Sequence, residues 1–389
     1  MSEIKVNSIK GVGASAAAIT VNNTDGTCTA NITNNLSNRN LIINGAMQVA
    51  QRGTSNTENG YGTVDRIRSL FGGTDEDVTQ AQVDVASGTT PYTLGFRKAF
   101  KMTNGNQTSV GTNDNIHIQI KLEAQDIANS GWNYTSASSF VTISFYVKSS
   151  VAQNFYGYLR SIDGTGQVYP FETGSLSADT WTKVTKTIPG NSNLQFDNDN
   201  DEGIQIVPVA PFFGTAFTDS SVSLNAWSAY STSARMPDNT STWYTTNDAT
   251  FEITGIQLEV GSVATDFEHR SYAETLAKCQ RYLYKLEVGS GGGNTNNNFI
   301  VMARYSTGGD SVPFGTVPFP VQMRTEPTFS FVGTSQSSAG YAGNPVAYSQ
   351  SKDMATIKGT NNVAAGGVLY CRVGSGGSDT LDLLFSAEL

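Results

Sequence analysis

Apolar and polar side chains alternate along much of this chain with a period of two, and turn clusters interrupt the alternation every few residues. Over residues 115–122, Ile116, Ile118, Ile120 and Leu122 share one phase, while Asn115, His117, Gln119 and Lys121 share the other. Over 140–148, Val141, Ile143, Phe145 and Val147 alternate with Thr142, Ser144, Tyr146 and Lys148. Successive side chains on a strand point to opposite faces, so both segments read as half-buried antiparallel strands with one wet face. Phe251 and Ile253 keep one phase, then Ile256, Leu258 and Val260 take the other, which predicts a β-bulge at Gly255. The pairs Asn104-Gly105, Asp163-Gly164 and Pro189-Gly190 mark turns. Many short strands without interleaved helices predict a mostly β chain, with a central β-sandwich or jelly roll over 41–270.

One segment breaks the pattern. Ser271 can cap a helix, and Glu274 follows at the capping-box distance. Tyr272, Leu276, Cys279, Leu283 and Leu286 then recur at steps of 4, 3, 4 and 3, an a/d stripe on one face of a helix over 271–286. Two heptads are too few for a coiled coil on their own. Such a helix lies on a sheet or joins a short bundle on a symmetry axis.

The ends differ from the middle. Residues 1–40 are rich in Ala, Asn, Thr, Gly and Ser, and their apolar patches, Ile4/Val6 and Ile19/Val21, are too brief to bury a core. Their alternation suggests strands ordered by wrapping on a partner. Gly289 to Gly293 and Asn294 to Asn298 read as a linker or exposed loop. Strand patterning resumes at Phe299, Val301, Ala303 and Tyr305, returns near 368–373, and runs to the end through Leu381, Leu383, Phe385, Ala387 and Leu389. Residues 287–389 are therefore expected to form a second, smaller β domain with the last strand tucked into a sheet.

Composition removes several classes of function. Of 389 residues only 15% are charged, the net charge is −9, and Lys and Arg are scattered rather than striped. That argues against a nucleic-acid binder. With 38% hydrophobic residues the chain can build a core, and no apolar run approaches the roughly 18 residues that span a bilayer. Its start, Met1-Ser2-Glu3-Ile4-Lys5, lacks the shape of a signal peptide. Cys28, Cys279 and Cys371 are an odd number and widely spaced, so buried or half-buried thiols are expected rather than a disulfide framework or a zinc site.

Two stretches carry a family resemblance. One is Asn40-Leu41-Ile42-Ile43-Asn44-Gly45-Ala46-Met47-Gln48-Val49-Ala50-Gln51-Arg52-Gly53-Thr54, followed by Tyr61 and Asp65-Arg66. The other is Gly255-Ile256-Gln257-Leu258-Glu259-Val260-Gly261-Ser262-Val263-Ala264-Thr265-Asp266-Phe267-Glu268-His269-Arg270, then Cys279-Gln280-Arg281-Tyr282. Together they resemble bacteriophage tail-fibre and related virion proteins that carry a jelly roll similar to carbohydrate-binding modules. The opening Glu3 to Ile9 and the closing Phe385 to Leu389 are similar to the ends of such chains. In their own right, Leu41 to Ile43 reads as a buried first strand ended by Asn44-Gly45, and Gln257 to Glu259 as part of a last strand. First and last strands of a jelly roll lie close together, so the two motifs are expected to meet and to be structural.

The resemblance implies a receptor-facing virion protein, made in the host cytoplasm and assembled into a phage tail. Residues 1–40 would attach to other tail proteins, and the jelly roll would touch a host surface glycan. The core-poor start, the helix stripe and the lack of cross-links all suit a homotrimer, whose linked sites would gain avidity. Sugar binding needs exposed aromatic faces with polar groups beside them. Candidates are Tyr146, Tyr156, Tyr158, Tyr169, Trp227, Trp243 and Tyr244, while Trp181 is expected in the core. Asp197, Asp199 and Asp201 alternate in the densest acidic run, so they are either a structural calcium site or a solvated loop. No other cofactor is expected. His117 and His269 are expected in surface or structural roles, and no triad, phosphate loop or zinc-protease motif occurs. The chain is therefore not expected to be an enzyme. Two alternatives remain: a tailspike that degrades polysaccharide, and a purely architectural collar or capsid decoration protein.

Overall fold

The computed structural model describes residues 8–9, 19–21, 28–30, 38–290, 300–304, 313–333, 346–358, 369–371 and 380–389. The middle of the chain is the expected sandwich of two antiparallel sheets. In one sheet the order is Phe212–Phe213, Asn115–Glu123, Glu202–Ala210, Asn154–Ser161, Gln167–Ser175 and Ser228–Ala229, with Arg68–Gly72 also paired to Asn115–Glu123. In the other it is Thr182–Pro189, Phe140–Ser149, Thr250–Val260, Lys98–Thr103, Thr79–Asp84 and Ser55–Asn56.

The inward phase of each strand fills the space between the sheets. Ile116, Ile118, Ile120 and Leu122 face Val141, Ile143, Phe145 and Val147 in one buried cluster. Phe155 and Phe251 meet across it edge to face at 5.1 Å. Interdigitation of this kind is what holds two sheets about 10 Å apart. The bulge at Gly255 is present: pairing with Phe140–Ser149 slips between Thr254 and Gln257, and Gly255 sits at φ +64°. A Cβ there would approach the Phe96 ring to 2.6 Å, so both backbone and space require glycine.

Several expectations need correcting. The outward phase of Asn115–Glu123 is not wet, since His117 and Gln119 are buried. Residues 41–43 form a turn rather than a strand, although Ile42 is buried. The helix spans only Tyr272–Gln280, with Ser271 accepting the expected cap bond from Glu274 N at 3.2 Å. Leu283 and Leu286 lie instead on the strand Leu283–Ser290. The a/d stripe therefore does not exist as a helix face. Tyr272 is 57% exposed, and the buried helix positions are Thr275 and Cys279, one turn apart. Arg281 and Tyr282 are tied to Glu123 of the sandwich, so the chain leaves the helix there.

The C-terminal β unit thus begins at Leu283. Its last strand, Thr380–Ser386, lies between Leu283–Ser290 and Thr328–Gly333, so the apolar end of the chain is central in a sheet. Val346–Gln350, Met354–Lys358, Pro313–Pro318, Ile300–Arg304 and Leu369–Cys371 form a second sheet. Its small core contains Val317, Met323, Ile357, Leu383 and Phe385. Near the N-terminus, Ser8–Ile9, Ile19–Val21 and Cys28–Ala30 form a three-stranded antiparallel sheet. Cys279 is buried with a thiol pushed well up by desolvation, as suits an unreactive sulfur. The side chains of Cys28 and Cys371, and residues 291–298 of the expected linker, lie outside the described residues.

Candidate functional site

The two sequence motifs meet, and they build a junction. Leu41 N donates to Leu258 O at 2.9 Å, and Asn40 Nδ2 donates to Ile256 O at 3.1 Å. Asn40 Oδ1 accepts from Leu258 N at 3.1 Å. A Cβ on Gly45 would run into the carbonyl oxygen of Ile256, so only glycine allows this approach. Asn44, at φ +61°, accepts from Val49 N and donates to the carbonyls of Val49 and Asp65, which closes its loop. Asn is among the few residues that tolerate that backbone.

The rest of these motifs welds the C-terminal unit onto the sandwich. Arg66, 2% exposed, donates to Glu388 and to Lys121 O, and its guanidinium lies 3.5 Å from the centre of the Tyr282 ring. Arg52 pairs with the same Glu388 at 3.2 Å. Arg281 grips Glu123 through Nε and Nη2, both at 2.8 Å, and Tyr282 donates its hydroxyl to Glu123. Burial pushes the Glu123 carboxyl up, but these donors outweigh it and hold it below the usual carboxylate range. Arg324 closes the seam by donating to the carbonyls of Ala387, Asn200 and Glu388. Asp65, buried behind Gln51, is pushed up to about 6 by desolvation.

A site suited to a ligand lies elsewhere, on the outer face of the sheet that contains Phe140–Ser149. The outward phase there places Tyr146 beside Lys183 and Thr254, and Lys148 beside Glu252. Tyr146, Phe96, Phe267 and His269 line a cleft of about 240 Å³ together with Ser144, Lys183 and Asp266. Its floor is rigid: Phe96 packs edge to face on Phe267 at 4.8 Å, and His269 Nε2 donates to Leu94 O at 2.8 Å. Trp181 packs on the same cluster, half-buried, with Lys148 Nζ 5.3 Å from its ring centre. Burial and then the Asp266 carboxylate push the Tyr146 phenol up, so it stays a neutral donor at physiological pH. Half-exposed rings beside ammonium, hydroxyl and carboxylate groups can stack on the apolar face of a sugar and bond its hydroxyls.

Of the seven aromatic residues expected at a sugar site, Tyr146 lines this cleft. Tyr158, Tyr169, Trp243 and Tyr244 are buried, which removes them from any outward-facing site. Tyr158 points outward from its sheet, yet Phe213 and Met236 cover it, with Phe217 and Tyr230 alongside. Tyr244 stacks on Phe212 at 4.3 Å and donates to Asp114, and Trp243 donates to Thr250 O. Tyr156 packs under the same cover as Tyr158, and Trp227 seals the edge of the sandwich by donating to Pro189 O at 2.7 Å. Trp181 is the opposite correction, expected in the core but found beside the cleft. Its position directly before the strand Thr182–Pro189, whose outward phase includes Lys183, was the available signal.

The acidic run forms no metal cluster: among the described residues no three Asp, Glu, His or Cys converge. Asp197 accepts from Gln195, Asp199 accepts from the Asp201 amide, and Asp201 lies 3.5 Å from Arg324. Each carboxylate is occupied separately by a short-range partner, so the three do not share a centre. His117 packs on Phe213 at 4.7 Å, and desolvation pushes its pKa down to about 3, so it is a neutral buried ring.

No protein-family model matches the chain, and no curated protein matches it. Solved structures do. The enzymatically active domain of tailspike protein 4 from bacteriophage CBA120 aligns at 8% identity and TM-score 0.29, over 57% of this chain and 21% of that one. This chain therefore spans about a fifth of that tailspike chain. A family 11 carbohydrate-binding module from Clostridium thermocellum, in complex with a mixed-linked tetrasaccharide, aligns at 14% identity and TM-score 0.23, over 56% of this chain and 98% of that one. The CBM22-1–CBM22-2 tandem domain from Paenibacillus barcinonensis Xyn10C aligns at 10% identity and TM-score 0.27, over 91% and 100%.

Proposed function

We propose that this chain is a structural component of a phage virion, a trimeric tail fibre whose jelly roll attaches to host surface glycan through the Tyr146 cleft. The observation that carries the glycan part is the pairing of half-exposed Tyr146 and Trp181 with Lys148, Lys183 and Asp266 on one open sheet face. At about 240 Å³ the cleft has room for a single sugar ring and falls below the roughly 300 Å³ at which drug-sized sites begin. One such contact is weak, and three linked copies convert it into useful avidity. The virion part rests on the motif resemblance. The junction supports it, because those motif residues tie two β units together through buried ion pairs and hydrogen bonds, as a load-carrying fibre needs.

Labelled protein should bind host cells or a glycan array, with loss of binding in Tyr146→Ala and Trp181→Ala. Binding that survives both substitutions removes the cleft from the reading. A protein that binds no glycan at all favours an architectural role, and shortened glycans after incubation favour a degrading tailspike. Mass photometry tests the trimer, and a stable folded monomer at nanomolar concentration overturns it.

A further inference from the structure

A larger cavity, about 660 Å³, opens where the chain enters the sandwich at Asn38, and it shares no lining residue with the Tyr146 cleft, although its Arg270 directly follows the cleft's His269. That volume lies within the range of ligand sites. Two helices bound it with opposite chemistry. The helix Tyr272–Gln280 contributes Lys278, flanked by Arg270 and Arg281, while Ala124–Ala128 and the residues after it contribute Gln125, Asp126 and Asn129. Leu41, Ile43 and Val260 supply apolar surface between them.

The existing pairs leave a defined remainder. Arg281 is committed to Glu123, Arg270 to Glu268 at 3.0 Å, and Arg39, which also lines the cavity, to Glu259 at 3.7 Å. Among the described residues Lys278 has no carboxylate within ion-pair distance. Burial, then Arg270, lowers its pKa, while Glu274, Glu268 and Asp126 act against them from beyond ion-pair distance. Across the cavity, Gln125 spends its amide nitrogen on Glu123, and Asn129 spends its own on Gln125 O and Asn198. Their amide oxygens, and the Asp126 carboxylate, receive no hydrogen bond among the described residues. The cavity therefore offers one cation without a direct ion pair, faced by acceptor oxygens, those of Asp126 and Asn129 on exposed residues, that no described donor occupies.

We propose that this cavity is a second saccharide site, selective for an acidic sugar unit of the uronate or sialate type. The sugar carboxylate would pair with Lys278, and its hydroxyls would donate to Asp126, Gln125 and Asn129. A bare phosphate or sulfate answers only the cation and is repelled by Asp126. A neutral sugar answers only the acceptors. A molecule with an anionic group at one end and hydroxyl donors at the other satisfies both sides at once.

The test is titration of the full chain with galacturonate, N-acetylneuraminate, galactose and inorganic phosphate, read by ligand-observed NMR. The two acidic sugars should bind, galactose and phosphate should bind more weakly, and added salt should weaken the acidic sugars. Lys278→Gln should cost at least about tenfold in affinity, as expected for a lost charged hydrogen bond. Asp126→Asn should weaken the acidic sugars while strengthening phosphate, a change of opposite sign that general damage to the fold cannot produce. Tyr146→Ala should leave acidic-sugar binding intact, which separates this site from the cleft above. Absence of acidic-sugar binding overturns the proposal. So does binding unchanged in Lys278→Gln, or phosphate binding as tightly as the sugars.

Discussion

The two outer faces of the sandwich start from the same strand chemistry and end differently. Both carry a polar phase, with His117 and Gln119 on one sheet and Ser144, Tyr146 and Lys148 on the other. On the first, the chain folds back over its own sheet: Phe213, Phe217, Tyr230 and Met236 cover Tyr158. At its other end, Arg66 and Tyr282 bring the C-terminal unit down onto Lys121 and Glu123. On the second face, around Tyr146, no such cover forms among the described residues, which leave a cleft with aromatic and charged walls. Alternation thus specifies that a side chain leaves the core, but not that it reaches solvent.

The sharpest way to break this contrast is to lift the cover at its most buried ion pair. Arg66→Ala leaves Glu388 without its main partner in a buried seam, and removal of one partner from such a pair costs about 3–5 kcal/mol. Urea unfolding followed by two probes should show the C-terminal unit detaching first. A single transition at the wild-type midpoint would mean that the seam is not holding the two units together.

A second contrast lies within the covered side, where two buried groups titrate with opposite signs. The folded pKa of His117 is depressed to about 3. Its neutral form therefore contributes stability that is complete above the unfolded value of about 6.5 and is lost as pH falls below it. Asp65 is raised to about 6. Its protonated form is favoured by the fold, so stability is highest at or below the unfolded value of about 3.9 and falls as pH rises through 6. The two oppose each other between about pH 4 and 6. In Asp65→Asn, stability should fall on acidification by about 1.4 kcal/mol per pH unit in that window, and in His117→Phe it should rise by a similar amount. Denaturant midpoints measured across the window check both slopes. Equal slopes in the two variants would show that the groups are not the titrating ones.

On the open face the expected stability effects are small. Tyr146→Ala should cost less than the roughly 3–5 kcal/mol of a buried aromatic deletion, because the ring is only half-buried. Thermal melting within a few degrees of wild type, together with lost glycan binding, would mark the position as built for recognition. Smallest of all, Asp201→Ala removes a largely exposed partner of Arg324 and should change stability by no more than about 1 kcal/mol. Addition of calcium should leave melting unchanged in both wild type and variant, and a clear rise would restore a metal to the acidic loop.

Particular residues show why part of this was legible in the sequence. Ile116 to Leu122 and Val141 to Val147 revealed the core because a strand has only two faces and the apolar phase must find cover. The bulge at Gly255 was visible because a change of phase within a strand needs one extra residue. The two motifs were expected to lie side by side, and Asn40 bonds to Leu258 across them. The helix was misjudged because steps of 4 and 3 in Leu283 and Leu286 also fit positions on a following strand. Glu123, from a distant strand, binds Arg281 and Tyr282 where the chain turns out of the helix. Tyr158 and Trp181 exchanged places relative to expectation because cover is supplied by residues far away in sequence.

Local periodicity and turn chemistry therefore set which segments are strands, which phase faces inward, where a bulge falls, and that the final strand is buried. These properties depend on neighbours one to four residues apart. The assignment of one outer face to packing and the other to a cleft, the seam around Glu123 and Glu388, and the cavity beneath Lys278 depend on residues separated by tens of positions and, for Arg66 and Glu388, by 322. Buried charge and covered polar surface become stable only when such distant partners arrive together, and a linear pattern contains no record of that meeting.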